Sequence, residues 1–189
     1  MGYALANKVD DYLEGELLTS CKSASGKINH IDLSGNLKAG SNADFEAILT
    51  AVLAEDPDVG NWTLVVSPGA FASLSALVQL SYGTAAAPLG AGFGATNQVQ
   101  TVFGMPIVMS QAVTTGTTDM DTSGGTDNIT QIGYCIHKSA MHIAYSQGVR
   151  MQASYDIDYL GTKMVSDMIY GCTLRNSSTA GQKRVFVLD

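Results

Sequence analysis

No stretch of the sequence reaches the roughly 18 uninterrupted apolar residues of a membrane-spanning helix. The opening residues, MGYALANKVDD, have neither the basic nor the apolar segment of a secretory signal. The Met-Gly start is not a myristoylation signal, because position 6 is Ala rather than Ser or Thr. Cysteine is sparse. Cys21, Cys135 and Cys172 are odd in number and widely spaced, the pattern of reduced thiols rather than of a disulfide framework. Without a secretion route, the Asn-x-Ser/Thr sites at Asn61, Asn128 and Asn176 carry no information. Basic residues are scarce too. Ten Lys and Arg against 17 Asp and Glu give a net charge of −7, with no basic cluster to track a phosphate backbone. This excludes a sequence-specific nucleic-acid binder, but not a protein that lies near DNA without gripping it.

What is present suffices for a core. The 189 residues suit one large domain or two small ones, and 46% of them are apolar. Leu5, Val9, Leu13 and Leu17 recur every fourth residue, with Tyr12 beside them, and predict an amphipathic helix over 4–18. No capping residue precedes it, so a longer helix whose front end is missing is expected. Residues 19–40 are polar and hold at most a short strand or hairpin. Ser41 with Asp44 resembles a capping box for a second helix, with a stripe of Phe45, Ile48, Leu49, Val52 and Leu53 and a stop at Pro57.

Trp62–Val66 (WTLVV) predicts a strand buried on both faces. Ser67-Pro68 then caps a third helix, carried by Phe71, Leu74, Leu77 and Val78 to about Leu80. A Gly/Ala-rich loop is expected over 81–97 and short strands around 99–103 and 106–110, joined at Gly104. A polar loop with almost nothing fit for a core follows over 113–128. Strand character resumes at 129–136 and dominates the rest. Gly133–Gly171 lies in the proline-free C-terminal half and reads as extended segments broken at Gly148 and around 159–161. A long final strand over about 162–175 and an edge-like strand at RVFVLD (184–189) complete the chain.

None of the chemically suggestive groups amounts to an active site. Gly90, Gly92 and Gly94 are spaced G-x-G-x-G, without the strand before and capped helix after that a phosphate loop requires. Ser67 sits on a strand-to-helix turn, but Val65 stands where a nucleophile elbow needs Gly, and helix capping explains the serine. Cys135 and His137 would share a strand face with His142 opposite, which leaves a zinc ion short of three ligands. The pairs Asp156/Asp158 and Asp119/Asp121 suit turns and lack a calcium-loop pattern. The reading is therefore no catalytic residue, no cofactor and no metal.

The segments GVRMQASYDIDYLGTKMVSDMIYGCTLRN, WTLVVSPGAF, GMPIVMS and MGYALANKVDDYL carry a resemblance that covers most of the chain. Together they resemble the major capsid proteins of tailed bacteriophages. The resemblance implies the α+β Hong-Kong-97-type fold, shared with encapsulin compartments and the herpesvirus capsid floor. It implies a distal spine helix and connector of the peripheral domain over 1–39, an axial domain over 40–136, and a return to long peripheral strands over 137–189. The loops 81–97 and 113–128 would then lie near the symmetry axes or on the shell surface. The N-terminal arm, the extended loop and the first half of the spine helix that such proteins carry are not found, so a processed, truncated or unusually minimal subunit is expected.

The function implied is a structural, non-enzymatic subunit forming hexamers and pentamers of an icosahedral shell. Its partners would be copies of itself, with scaffolding, portal and decoration proteins. It would enclose double-stranded DNA without sequence-specific binding or membrane contact, in a virion made in the bacterial host cytoplasm. An encapsulin-like compartment is the alternative, and a small α/β hydrolase using Ser67, His137 and an Asp stands behind it.

Overall fold

The computed structural model describes residues 2–24, 26–33, 37, 42–73, 101–102, 104–113 and 117–189. The expected Gly/Ala loop, its three glycines, the helix beyond residue 73, and Ser41 lie outside the described residues. The centre is a six-stranded mixed sheet in the order β3-β12-β9-β4-β6-β5. After a short hairpin of β1 (Lys22–Ser23) and β2 (Gly26–Lys27), its strands are β3 (His30–Ile31), β4 (Trp62–Val66), β5 (Thr101–Val102), β6 (Met105–Met109), β9 (Gly133–His137) and β12 (Val185–Leu188). β4 runs parallel to β6 and antiparallel to β9. β12 is antiparallel to β9 on one side and parallel to β3 on the other.

Strands covered on both faces need apolar residues at consecutive positions, and WTLVV and VFVL supply them. One face holds Trp62, Leu64, Val66, Cys135, Phe186 and Leu188 against helix α2 (Asn42–Glu55) through Phe45, Ile48 and Val52. The Trp62 ring lies 5.7 Å from Phe186 and edge-on to His137 at 5.1 Å, a geometry that suits aromatic quadrupoles. The other face holds Tyr134, Val185 and Val187 against Leu17 and Cys21, at the end of helix α1 (Gly2–Ser20). A small hairpin of β7 (Thr117–Asp119) and β8 (Asn128–Thr130) closes that side with Met120 and Ile129.

Two sets of polar side chains tie these layers together. Glu14 on α1 accepts from the Tyr134 hydroxyl at 2.8 Å and from the Gln131 amide at 3.4 Å. The Asn176 side-chain oxygen accepts from the main chain of Arg184 and Val185 and from the Asn29 amide, which aligns the last strand for pairing.

Several sequence expectations need correction. The C-terminal segment is no edge: all four residues of β12 are buried between β3 and β9. The polar segment 113–128 contributes Val113 and Met120 to a core, at 4% and 0% exposure, and contains a strand. The strand expected over 129–136 is two, interrupted at Gln131-Ile132, where Ile132 donates its N–H to Leu188 and accepts from Ser67. On α2 the stripe is narrower than expected, with Leu53 exposed and Leu49 half-buried, because only one sheet face meets the helix. Asp44 is buried and accepts the Leu37 N–H at 3.0 Å. The break expected at Gly148 is a bulge: β10 (Met141–Asp156) runs through it as one strand, while its pairing shifts register between Gln147 and Arg150.

Candidate functional site

The residues considered for chemistry sit in structural roles. Ser67 follows β4, where its hydroxyl accepts the Ala70 N–H at 3.4 Å as a helix cap. His137 pairs with Trp62 at the opposite end of β4, five residues and roughly 16 Å from Ser67 at about 3.3 Å per residue. The hydrolase combination of Ser67 and His137 is therefore not assembled. His137 Nδ1 instead accepts from the Ser139 main chain at 3.1 Å and faces its hydroxyl at 2.8 Å. This leaves Nε2–H to donate to Asp56 at 3.0 Å, tying the end of α2 to the end of β9.

Three donors converge on Asp56: the Asp58 main chain, the Asn61 amide and His137. In that order of strength they hold its carboxyl down to about 2. A depressed carboxylate stabilises the fold fully above its ordinary value of 3.8, and the gain is lost as pH falls through about 2. Asp56→Asn should therefore flatten the pH dependence of unfolding between these values and leave the slope above pH 5 unchanged, as acid titration followed by Trp62 fluorescence would show.

The Cys135 and His142 side chains do not join His137. Burial pushes the Cys135 thiol up to about 12 and Cys21 up to about 11, so neither offers a thiolate at neutral pH. His142 is exposed on β10. Asp156 accepts the Asp158 N–H in a turn. Asp119 accepts the Asp127 and Asp121 N–H groups, which lower its pKa in that order, and Asp121 accepts from Ser123. No three His, Cys, Asp or Glu side chains are grouped to hold a metal ion among the described residues.

Among the described residues, most of the exposed large apolar side chains lie on a different element. β10 pairs antiparallel with β11 (Gly161–Leu174) in a two-stranded sheet that no third strand joins among the described residues. At about 3.4 Å per residue, the 16 residues of β10 reach about 50 Å. Two register shifts, at Tyr145/Gln147 and Gln147/Arg150, place two extra residues in β10. An even number of extra residues restores the alternation, so one face stays continuous from base to tip.

On that face Met141, Ile143, Tyr145, Met151, Ala153 and Tyr155 stand beside Leu174, Cys172, Tyr170, Met168 and Met164, with Ser166 and Thr162 as polar exceptions opposite Met151 and Tyr155. The opposite face carries His142, Gln147, Arg150, Gln152, Ser154 and Asp156 with Lys163, Asp167 and Thr173, and Val165 and Ile169 as apolar exceptions. Arg150 grips Asp167 with two hydrogen bonds, at 3.1 and 2.7 Å, and so fixes the register beside the shifts.

Helix α1 covers the base of the apolar face. Tyr12 meets Tyr170 edge-on at 5.6 Å, and Met141 and Leu174 join the core cluster. The cover ends within a few residues: Tyr145 is already 62% exposed, and Met151, Tyr155 and Tyr159 reach 63%, 64% and 86%. This face is absent from the expectations above. Apolar residues at alternate positions in both strands are the signal that could have found it.

A capsid-type α+β architecture is what these elements define, and solved structures match it over the whole chain. The capsid structure of cyanophage P-SCSP1u aligns at a TM-score of 0.63 and 18% identity, covering 100% of this chain and 63% of that one. A structure of Mycobacterium phage Che8 aligns at 0.59 and 21%, covering 100% and 60%. The asymmetric unit of the bacteriophage PhiM1 mature capsid aligns at 0.60 and 16%, covering 100% and 62%. The chain thus has the fold of tailed-phage major capsid proteins, and spans a little under two-thirds of the length of each of these structures. No protein-family model and no curated protein sequence matches it.

Proposed function

We propose that the chain forms a large part of a bacteriophage major capsid subunit, a structural protein whose copies assemble into pentamers and hexamers of an icosahedral shell around double-stranded DNA. The observation that carries this reading is the alignment of the entire chain with phage capsid structures. Residues 1–39 and 137–189 are assigned to a peripheral domain and 40–136 to an axial domain, the terminal strand β12 crossing back into the sheet of the latter. Ring and lattice contacts of this kind are heterologous, joining different patches of successive copies, and many modest contacts add up to a robust shell.

The net charge of −7 suits a wall facing packed DNA, since an acidic surface does not grip phosphates. Scaffolding, portal and decoration proteins are the further partners this role calls for, in a virion assembled in the bacterial cytoplasm. Sedimentation and light scattering of the full-length protein test the reading. Particles of megadalton size are expected, and a species that stays monomeric in every assembly buffer would overturn it.

A further inference from the structure

We propose that Ser139, His137 and Asp56 form a nucleophilic triad that takes acyl groups from small esters onto the Ser139 hydroxyl. The site goes beyond the capsid reading and does not depend on it. A serine nucleophile needs a base within hydrogen-bond reach and a third group that orients the base. Ser67 cannot fill that part, but the structure gives His137 a different serine. The Ser139 hydroxyl lies 2.8 Å from His137 Nδ1, and His137 Nε2 lies 3.0 Å from the Asp56 carboxylate. Both distances suit proton transfer.

The tautomer is the one a base requires. A main-chain N–H can only donate, and that of Ser139 donates to Nδ1 at 3.1 Å. Nδ1 therefore carries the lone pair and accepts from the Ser139 hydroxyl, while Nε2 carries the hydrogen given to Asp56. The two ring nitrogens exchange the roles they hold in serine proteases, with the same division of labour.

Asp56 can offset the imidazolium that forms when the serine loses its proton. The Asp58 main chain, the Asn61 amide and His137 hold its carboxyl down to about 2, so it is charged at neutral pH. His137 is 6% exposed, its ring edge-on to Trp62, which restrains the imidazole plane. Ser139 is half-buried in the turn between β9 and β10, within reach of a small molecule. Lys138 is exposed beside it, and its ammonium contacts the Asn61 side chain, which in turn donates to Asp56. A cation at this rim has the sign that stabilises a developing oxyanion.

In the reaction, Ser139 Oγ bonds to the ester carbonyl carbon and its proton passes to Nδ1. The bond from that carbon to the alcohol oxygen then breaks, the leaving oxygen takes the proton from Nδ1, and acyl-Ser139 remains. Water, deprotonated by the same nitrogen, hydrolyses this ester to a carboxylic acid and restores the hydroxyl.

The test treats the purified full-length protein with a fluorophosphonate, which bonds irreversibly to activated serines, and maps the labelled residue by mass spectrometry. Ser139 should label about a hundredfold faster than Ser67, which caps a helix away from the imidazole. p-Nitrophenyl acetate should acetylate the same residue, and Ser139→Ala should remove both products. Asp56→Asn can hold the imidazole in the wrong tautomer, and should slow labelling about a hundredfold while the far-UV spectrum stays native. Labelling spread evenly over the serines, or an unlabelled Ser139, would overturn the triad and leave the capsid reading untouched. A folded Asp56→Asn protein that labels at the parent rate would overturn it too. If that variant loses its native spectrum, the relative rates at Ser139 and Ser67 in the parent still decide.

Discussion

Val187→Asp is expected to leave no soluble, folded protein. Val187 is fully buried in β12, its backbone paired to Tyr134 on β9 and to His30 on β3. Its side chain packs in the cluster of Leu17, Cys21, Tyr134 and Val185. An unpaired carboxylate there costs about 4 kcal/mol or more, a large share of the roughly 5–15 kcal/mol that holds a domain together. Soluble yield and the far-UV spectrum would report the loss, with Thr173→Asp on the exposed hairpin face as a tolerated control. A soluble Val187→Asp protein with native Trp62 emission would return β12 to the edge of the fold.

Gly133→Ala should be nearly as severe, although it adds a single carbon. A Cβ at this position would lie 2.3 Å from the Val65 carbonyl oxygen and 3.1 Å from the Val66 Cα. Both are backbone atoms of β4, and β9 cannot retreat because β12 holds its other edge. The sheet must separate locally, at a cost of about 3 kcal/mol or more. Urea unfolding followed through Trp62 would show the midpoint falling sharply. An unchanged midpoint would contradict the pairing of Gly133 with Val66.

Much of this architecture is legible in the sequence wherever a local signal matches local structure. WTLVV gives a fully covered strand, Ser67 a cap, Pro57 a helix end, and residues 159–161 a turn between two long strands. The errors come from signals that only tertiary structure can weight. VFVL is the same continuous apolar signature as WTLVV, yet its place near the C-terminus suggested an edge; its partners β3 and β9 lie far away in the chain. Met120 is one apolar residue in a polar stretch, and only the hairpin of β7 with β8 aims it inward. The contact of Asp56 with His137 spans 81 residues and has no local sequence trace.

The hairpin face is the instructive case for function. Its alternation is plain in both strands, but a polar/apolar ribbon normally lays its apolar side on its own core. Only the structure shows that α1 covers the base and nothing described covers Met151, Tyr155 or Met164. The fold itself rests on whole-chain agreement with capsid structures at TM-scores of 0.59–0.63, despite identities of 16–21%. At such identity the shape is shared and the assembly behaviour must be measured.

Electron microscopy of the purified full-length protein measures it most directly. The account predicts closed icosahedral shells, or rings of five and six subunits. A field of uniform monomers under every assembly condition would contradict it.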